Sequence, residues 1–386
     1  MKKNDPRDIY PKFPKSAYRA AAKRIREARL HGILEYSDHD EEIIENWRAS
    51  HRHVLNAWQV TLKQRIKGRK IIFAQRLKRR NTIYDKLIRE PTMALIKMHD
   101  IAGCRLIFQN QDDMFDYINQ LHFSKKIKHK LVKEQNYILN PKETGYRGIH
   151  NEYQYLSRNA TDRSHFWDGL LLEIQFRTIY QHAWATAVEV TDNILHDRIK
   201  FNDSSNEKKE FFKLASEIIA RVYEDQKSCL PNLTNEELIS NFEKIEQHIN
   251  LLKRLKQLKS IKNIHEWKSK NIILHFSIDK LGRQNLIAVF NTSFSKANQK
   301  YFQMEKESPM DDIVLVRASD LKNAPSIRKS YKNYFSDARD FVEYIENGVS
   351  VLKGEKFHFP AKLHKQLRAV HKQYELDLNI NNGKKI

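Results

Sequence analysis

Residues Leu170–Thr178 alternate in a way that suits a β-strand with two unlike faces. Leu172, Ile174 and Phe176 fall on one side, and Leu171, Glu173, Gln175 and Arg177 on the other. A carboxylate, an amide and a guanidinium on one face of an otherwise apolar strand are costly to bury without partners. The strand alone therefore allows two readings, a solvated sheet face or a polar site built on the sheet.

Three further stretches bear on that choice. They are Gln75-Arg76-Leu77-Lys78, followed by Thr82-Ile83 and Lys86; Asp100-Ile101-Ala102-Gly103-Cys104-Arg105; and Gly145-Tyr146-Arg147-Gly148-Ile149-His150. With the strand they supply cations for a polyphosphate, two carboxylates for a metal, two guanidinium planes and one aromatic ring. Phosphoryl transfer needs that inventory, because its catalysis is mostly positioning and charge neutralisation. Asp100 and Glu173 at strand ends can share a Mg²⁺, which prefers oxygen ligands and keeps waters for substrate phosphates. Thr82-Ile83-Tyr84-Asp85 fits a capping box that opens a helix, with Lys86 in its first turn and phosphate drawn to the free N–H groups. Arg76, Lys78, Arg79 and Arg80 form either a solvated basic face or part of that phosphate site. Tyr146 serves either as a base-stacking ring or as ordinary packing.

The elements are expected in an α+β order, without regular βαβ alternation. Residues 1 to about 95 read as helical, with helices over Ala17–Leu30 and Glu41–Ile66. Strands are expected at Cys104–Phe108, Leu131–Ile138, Ile149–Leu156 and Leu170–Thr178, then a helix over Tyr180–Leu195. Helical patterning returns from Glu207 to about Leu258, and a boundary is placed near residue 265. Beyond it, Ile272–Ile278 and Leu286–Phe290 read as a hairpin around Asp279–Arg283, Asp312–Val316 as a third strand, and Ile327–Phe335 and Ala338–Asn347 as helices.

Composition narrows the class. The 386 residues suggest two domains, and 40 % hydrophobic content is enough for real cores. A formal charge of +21 points to nucleic acid or another polyanion as partner, the alternative being a mere lysine excess. Two cysteines exclude a disulfide framework and a cysteine-rich zinc site. The start of the chain lacks a signal-peptide pattern and no run of eighteen apolar residues occurs, so a cytoplasmic protein without membrane contact is expected.

The set of motifs, in this order and spacing, resembles the RelA/SpoT-type pyrophosphokinase domain over roughly residues 40–200. The resemblance implies a nucleotidyltransferase-like mixed sheet flanked by helices, and transfer of the β,γ-pyrophosphate of ATP to a 3′-hydroxyl. It implies that Arg76 and Arg105 sandwich the adenine and that Lys78 and Lys86 hold phosphates. It also implies that Asp100 and Glu173 bind Mg²⁺, with Glu173 activating the hydroxyl, and that Tyr146 stacks on the acceptor base. Lys142, His150, Gln175 and Arg177 would complete the acceptor side. Thr144 departs from the Asn that long family members often carry, which puts that acceptor contact in question. Nothing in the sequence resembles the family's hydrolase half, so synthesis alone is expected.

The segment from Val314 to Phe335, with Tyr331 and Tyr334 one helical turn apart, resembles the regulatory half of CapRel-type fused toxin–antitoxin proteins. That second resemblance implies residues 1–264 as the toxin domain and 265–386 as a small α+β regulatory domain. In it, Tyr331 and Tyr334 would occlude the ATP site until a trigger such as a phage capsid protein relieves the block. The acceptor would then be the CCA end of tRNA, and a monomer is expected. An alarmone synthetase making (p)ppGpp or (p)ppApp is the alternative, and a non-catalytic RNA-binding regulator a third reading.

Overall fold

The structure is a computed structural model, and it describes residues 9–33, 35–157, 163–195, 206–252, 255, 271–278, 284–291, 294–308, 312–317 and 339–355. These form two compact units that interleave along the chain. One draws on residues 1–140, 147–182 and 260–335, the other on 141–146, 183–259 and 336–386.

The first unit opens with helices α1 (Lys15–Leu30) and α2 (Asp38–Arg65). Ser37 caps α2 by accepting from the Asp40 N–H, acidic residues occupy its first turn, and Lys63 and Arg65 its last. Each choice suits the helix dipole. Ile43, Ile44, Trp47, Val54, Trp58 and Leu62 recur at helical spacing and are buried.

A five-stranded sheet follows, in the order β1-β2-β5-β4-β3. Its strands are β1 (Ile72–Leu77), β2 (Ala102–Phe108), β3 (Lys130–Asn136), β4 (Ile149–Gln154) and β5 (Leu171–Thr178). Only β2 and β5 pair in parallel. Helix α3 (Arg80–Arg89) follows β1 and α4 (Gln111–His122) follows β2. Leu172, Ile174 and Phe176 are fully buried, as the alternation predicts. Each contributes about 1.5–3 kcal/mol by leaving water.

β1 corrects the helical reading of the first 95 residues. Apolar Ile72, Phe73, Ala74 and Leu77 fall on both faces and Gln75 and Arg76 interrupt them, so period two is masked, and pairing with β2 decides the conformation. The capping box is also corrected. Helix α3 starts two residues before Thr82, Arg79 is its N-cap without a side-chain cap, and Lys86 lies in its last turn. The extended chain leaving β1 turns directly into the helix, and the Ile83 N–H bonds the Arg79 carbonyl.

The first unit also holds a smaller antiparallel sheet, ordered β7-β6-β8, from β6 (Asn271–Ile278), β7 (Gln284–Asn291) and β8 (Asp312–Arg317). The predicted hairpin and third strand are both present. Between β7 and β8 lies a helix that the sequence reading left out, α8 (Phe294–Glu307), whose Tyr301 and Met304 pack with Ile273 and Ile313.

Helix α5 (Ile179–Leu195) starts in the first unit and continues in the second. The second unit adds α6 (Asn206–Tyr223), α7 (Asn235–Ile249) and α9 (Arg339–Leu352). Phe211, Phe212, Phe242 and Phe341 form its aromatic centre. Gly348 lets α9 approach α6, since a Cβ there would sit 2.6 Å from Ile218. The segment expected as a helix at Ile327–Phe335 lies outside the described residues.

Candidate active site

The polar face of β5 is buried. Glu173 is 8 % exposed and Arg177 4 %. Strand register explains how they find partners. Arg76, Gly103, Glu173 and Glu152 are successive partners across β1, β2, β5 and β4. Arg105, Gln175 and His150 form the next row on the same face. Glu173 lies against His150 (Oε1 to Nδ1, 3.0 Å) and accepts from Gln175 Nε2 at 2.6 Å. Arg177 donates to the Gln175 amide oxygen at 3.1 Å. The chain of contacts fixes each side chain in one direction.

At the other end of the row, the β1–α3 turn and the last turn of α3 each bring a lysine to one carboxylate. Lys78 Nζ lies 2.8 Å from Asp100 Oδ2, and Lys86 Nζ 3.1 Å from Oδ1. The backbone holds this turn as well, because the Lys78 N–H donates to the Ile101 carbonyl at 2.7 Å.

Electrostatics keep both carboxylates charged. Burial would raise the Asp100 pKa, but Lys78 and Lys86 hold it far below the usual carboxylate range. Burial opposes ionisation of Glu173 too, and Asp100 repels it; His150 and Gln175 prevail and hold it at about 2. Burial lowers the pKa of Lys78, against the pull of Asp100. Two ionised, mutually repelling carboxylates suit a divalent cation. Among the described residues no group of three or more His, Cys, Asp and Glu is arranged around a metal position. A Mg²⁺ would therefore rest on Asp100 and Glu173 and take its remaining oxygens from water and substrate, as this ion does in phosphate sites.

Arg76 and Arg105 are diagonal neighbours on adjacent strands, since Arg76 pairs with Gly103. Such positions stand roughly 7–8 Å apart, room for one flat ring between two guanidinium planes. Lys142 and Tyr146 belong to the second unit, where the ammonium lies 5.3 Å from the tyrosine ring centre and Tyr146 meets Trp184 edge-on at 6.1 Å. Tyr331 and Tyr334 lie outside the described residues.

Two residues beyond the sequence-derived set join the site. Glu152, 3 % exposed, faces Glu173 across β4 and β5 and pairs with His99 at 3.0 Å. Burial raises its pKa, and Glu173 adds to the rise. The alternation His150, Glu152, Gln154 in β4 was the available signal.

Residues 75–192 match the family described as "Region found in RelA / SpoT proteins". Two GTP pyrophosphokinases of Bacillus subtilis (strain 168) are similar to this chain. YjbM is 33 % identical over 96 residues, 25 % of this chain and 43 % of that protein. YwaC is 35 % identical over 89 residues, 23 % of this chain and 40 % of that protein. The chain thus spans less than half the length of each relative. Among solved structures, small alarmone synthetase 1 of Bacillus subtilis bound to its product pppGpp is 24 % identical, covering 45 % of this chain and 88 % of that one, with a TM-score of 0.38. Small alarmone synthetase 2 of the same organism is 26 % identical, covering 46 % and 92 %, with a TM-score of 0.39.

Proposed function

We propose that residues 1–264, which carry the five-stranded sheet and its site, are a pyrophosphokinase domain that moves the β,γ-pyrophosphate of ATP to a 3′-hydroxyl. The observation that carries this is the Asp100 carboxylate held between Lys78 and Lys86, with ionised Glu173 on the neighbouring strand. In this reading the lysines turn to the triphosphate, Arg76 and Arg105 hold the adenine, and Glu173 takes the hydroxyl proton, while Asp100 and Glu173 would hold a Mg²⁺. Mg²⁺ supplies charge neutralisation at the transferred phosphates. His150, Gln175 and Arg177 orient Glu173 and the acceptor, with Lys142 and Tyr146 at the acceptor base. A catalytically silent RNA binder would have no use for two buried carboxylates kept charged.

We further propose tRNA as the acceptor, modified at its CCA end by a cytoplasmic toxin that its own C-terminal segment (265–386) restrains. The support is the charge of +21, which favours a large polyanion over a free nucleotide. Tyr331 and Tyr334 would occupy the adenine position, and a phage protein such as a capsid protein would release them. The second reading is an alarmone synthetase, favoured by the names of the two relatives, both GTP pyrophosphokinases. Incubation of the Tyr331→Ala/Tyr334→Ala variant with γ-labelled ATP and tRNA, GDP, GTP or ADP separates the two. Label on tRNA supports the first reading, label on a nucleotide alone the second, and label on no acceptor refutes both.

A further inference from the structure

Arg48 carries a guanidinium buried to 1 % exposure in the middle of α2. A cation so placed needs partners for its donors, and here they come from three directions. Nε donates to the backbone carbonyl of Lys78 at 2.7 Å. Nη1 donates to both carboxylate oxygens of Glu45 at 3.1 Å. Nη2 donates to the Tyr301 hydroxyl at 3.0 Å and lies 3.6 Å from Glu305. Tyr301 in turn donates to Glu305 at 2.8 Å, and the Phe302 ring centre lies 5.5 Å from the guanidinium carbon. The first of these bonds reaches the donor-side lysine, and the third reaches α8, more than two hundred residues further along the chain.

We propose that Arg48 is a positioning residue for Lys78 and that α8 completes the donor site through it, so that docking of α8 sets the affinity for a nucleoside triphosphate. The affinity part rests on the pyrophosphokinase reading. The Lys78 backbone is fixed on one side by the Ile101 carbonyl and on the other by Arg48. When α8 leaves, Nη2 loses Tyr301 and Glu305 together. The buried cation is then drawn to Glu45 or to water, and the Lys78 carbonyl loses its donor. With its main chain loosened, Lys78 no longer presents its ammonium beside Asp100 in one place. A geometric fork is essential, because an ammonium cannot bridge three partners in a plane.

The test uses the full chain carrying Tyr331→Ala/Tyr334→Ala, which keeps the adenine position open, with Tyr301→Phe and Glu305→Gln added, which keeps the ring and the shape of α8 while weakening its hold on Arg48. Hydrogen exchange is followed at the Lys78 and Phe176 amides, and affinity for a non-hydrolysable ATP analogue by calorimetry. Exchange at Lys78 is expected to rise about tenfold and the analogue's Kd to rise about tenfold, as befits loss of hydrogen bonds to a charged group. Phe176, in the centre of the sheet, is expected to stay protected. Arg48→Lys is expected to reproduce both effects with the charge retained. If the folded chain with Tyr301→Phe and Glu305→Gln exchanges faster only in α8 and β6–β8, then α8 merely anchors its own sheet and the proposal is overturned. Faster exchange at Lys78 with unchanged affinity overturns it equally. If the Tyr331→Ala/Tyr334→Ala chain with α8 unaltered does not bind the analogue, the pyrophosphokinase reading fails, and exchange at Lys78 still decides whether α8 positions that residue.

Discussion

Replacing Glu173 by Gln removes one charge and almost no volume, so its effects on stability and on chemistry can both be worked out. Burial and Asp100 oppose the carboxylate, while His150 at 3.0 Å and Gln175 at 2.6 Å hold its pKa at about 2 against an ordinary 4.5. At 1.36 kcal/mol per unit, that difference is worth up to about 3 kcal/mol of stability in the ionised form. The group's folded pKa is depressed, so this contribution is fully present above about 4.5 and is lost as pH falls through about 2. The amide has no such dependence. Urea unfolding at pH 7 should therefore show Glu173→Gln less stable by up to about 3 kcal/mol, with the two proteins converging near pH 2. Pyrophosphate transfer should fall by ~10²–10³, the usual cost of removing one electrostatic element from a transition state. A variant that keeps transfer within about tenfold of wild type, or the same gap in stability at pH 7 and pH 2, would refute the reasoning.

Other perturbations give equally plain outcomes. Asp100→Asn leaves Lys78 and Lys86 without their shared anion, and transfer should fall by ~10² or more while circular dichroism stays native. Gly145→Ala should cost roughly 1–3 kcal/mol in thermal unfolding, because φ is +85° there and a Cβ would meet Lys213 and Ser216 at 3.0 Å. Expression of Tyr331→Ala/Tyr334→Ala should arrest growth, and adding Glu173→Gln should cure the arrest. A soluble, harmless double variant would mean that the tyrosines are not the lock.

Much of the site was legible because the sheet turns spacing into geometry. Glu173, Gln175 and Arg177 were placed together by period two, and the register puts His150 and Glu152 beside them. The α+β class and the β6–β7 hairpin were legible for the same reason. β1 was not, since a short edge strand with apolar residues on both faces and Arg76 near its end carries little apolar alternation and is set by pairing with β2. The Thr82–Asp85 pattern misled because a capping signal states what a residue is able to do, while the exit from β1 fixed the start of α3 at Arg80. Arg48 was invisible among the polar residues of α2. Only the fold brings Lys78 and Tyr301 to the same guanidinium.

The central claim is that two phosphates leave ATP together. Incubation of the Tyr331→Ala/Tyr334→Ala variant with γ-labelled ATP, Mg²⁺ and an acceptor, followed by separation of adenine nucleotides, tests it most directly. The account predicts one AMP formed for each labelled acceptor, with both products absent in Glu173→Gln. ADP formed in step with a singly phosphorylated acceptor, or no label transferred to tRNA, GDP, GTP or an adenine nucleotide acceptor, would contradict it.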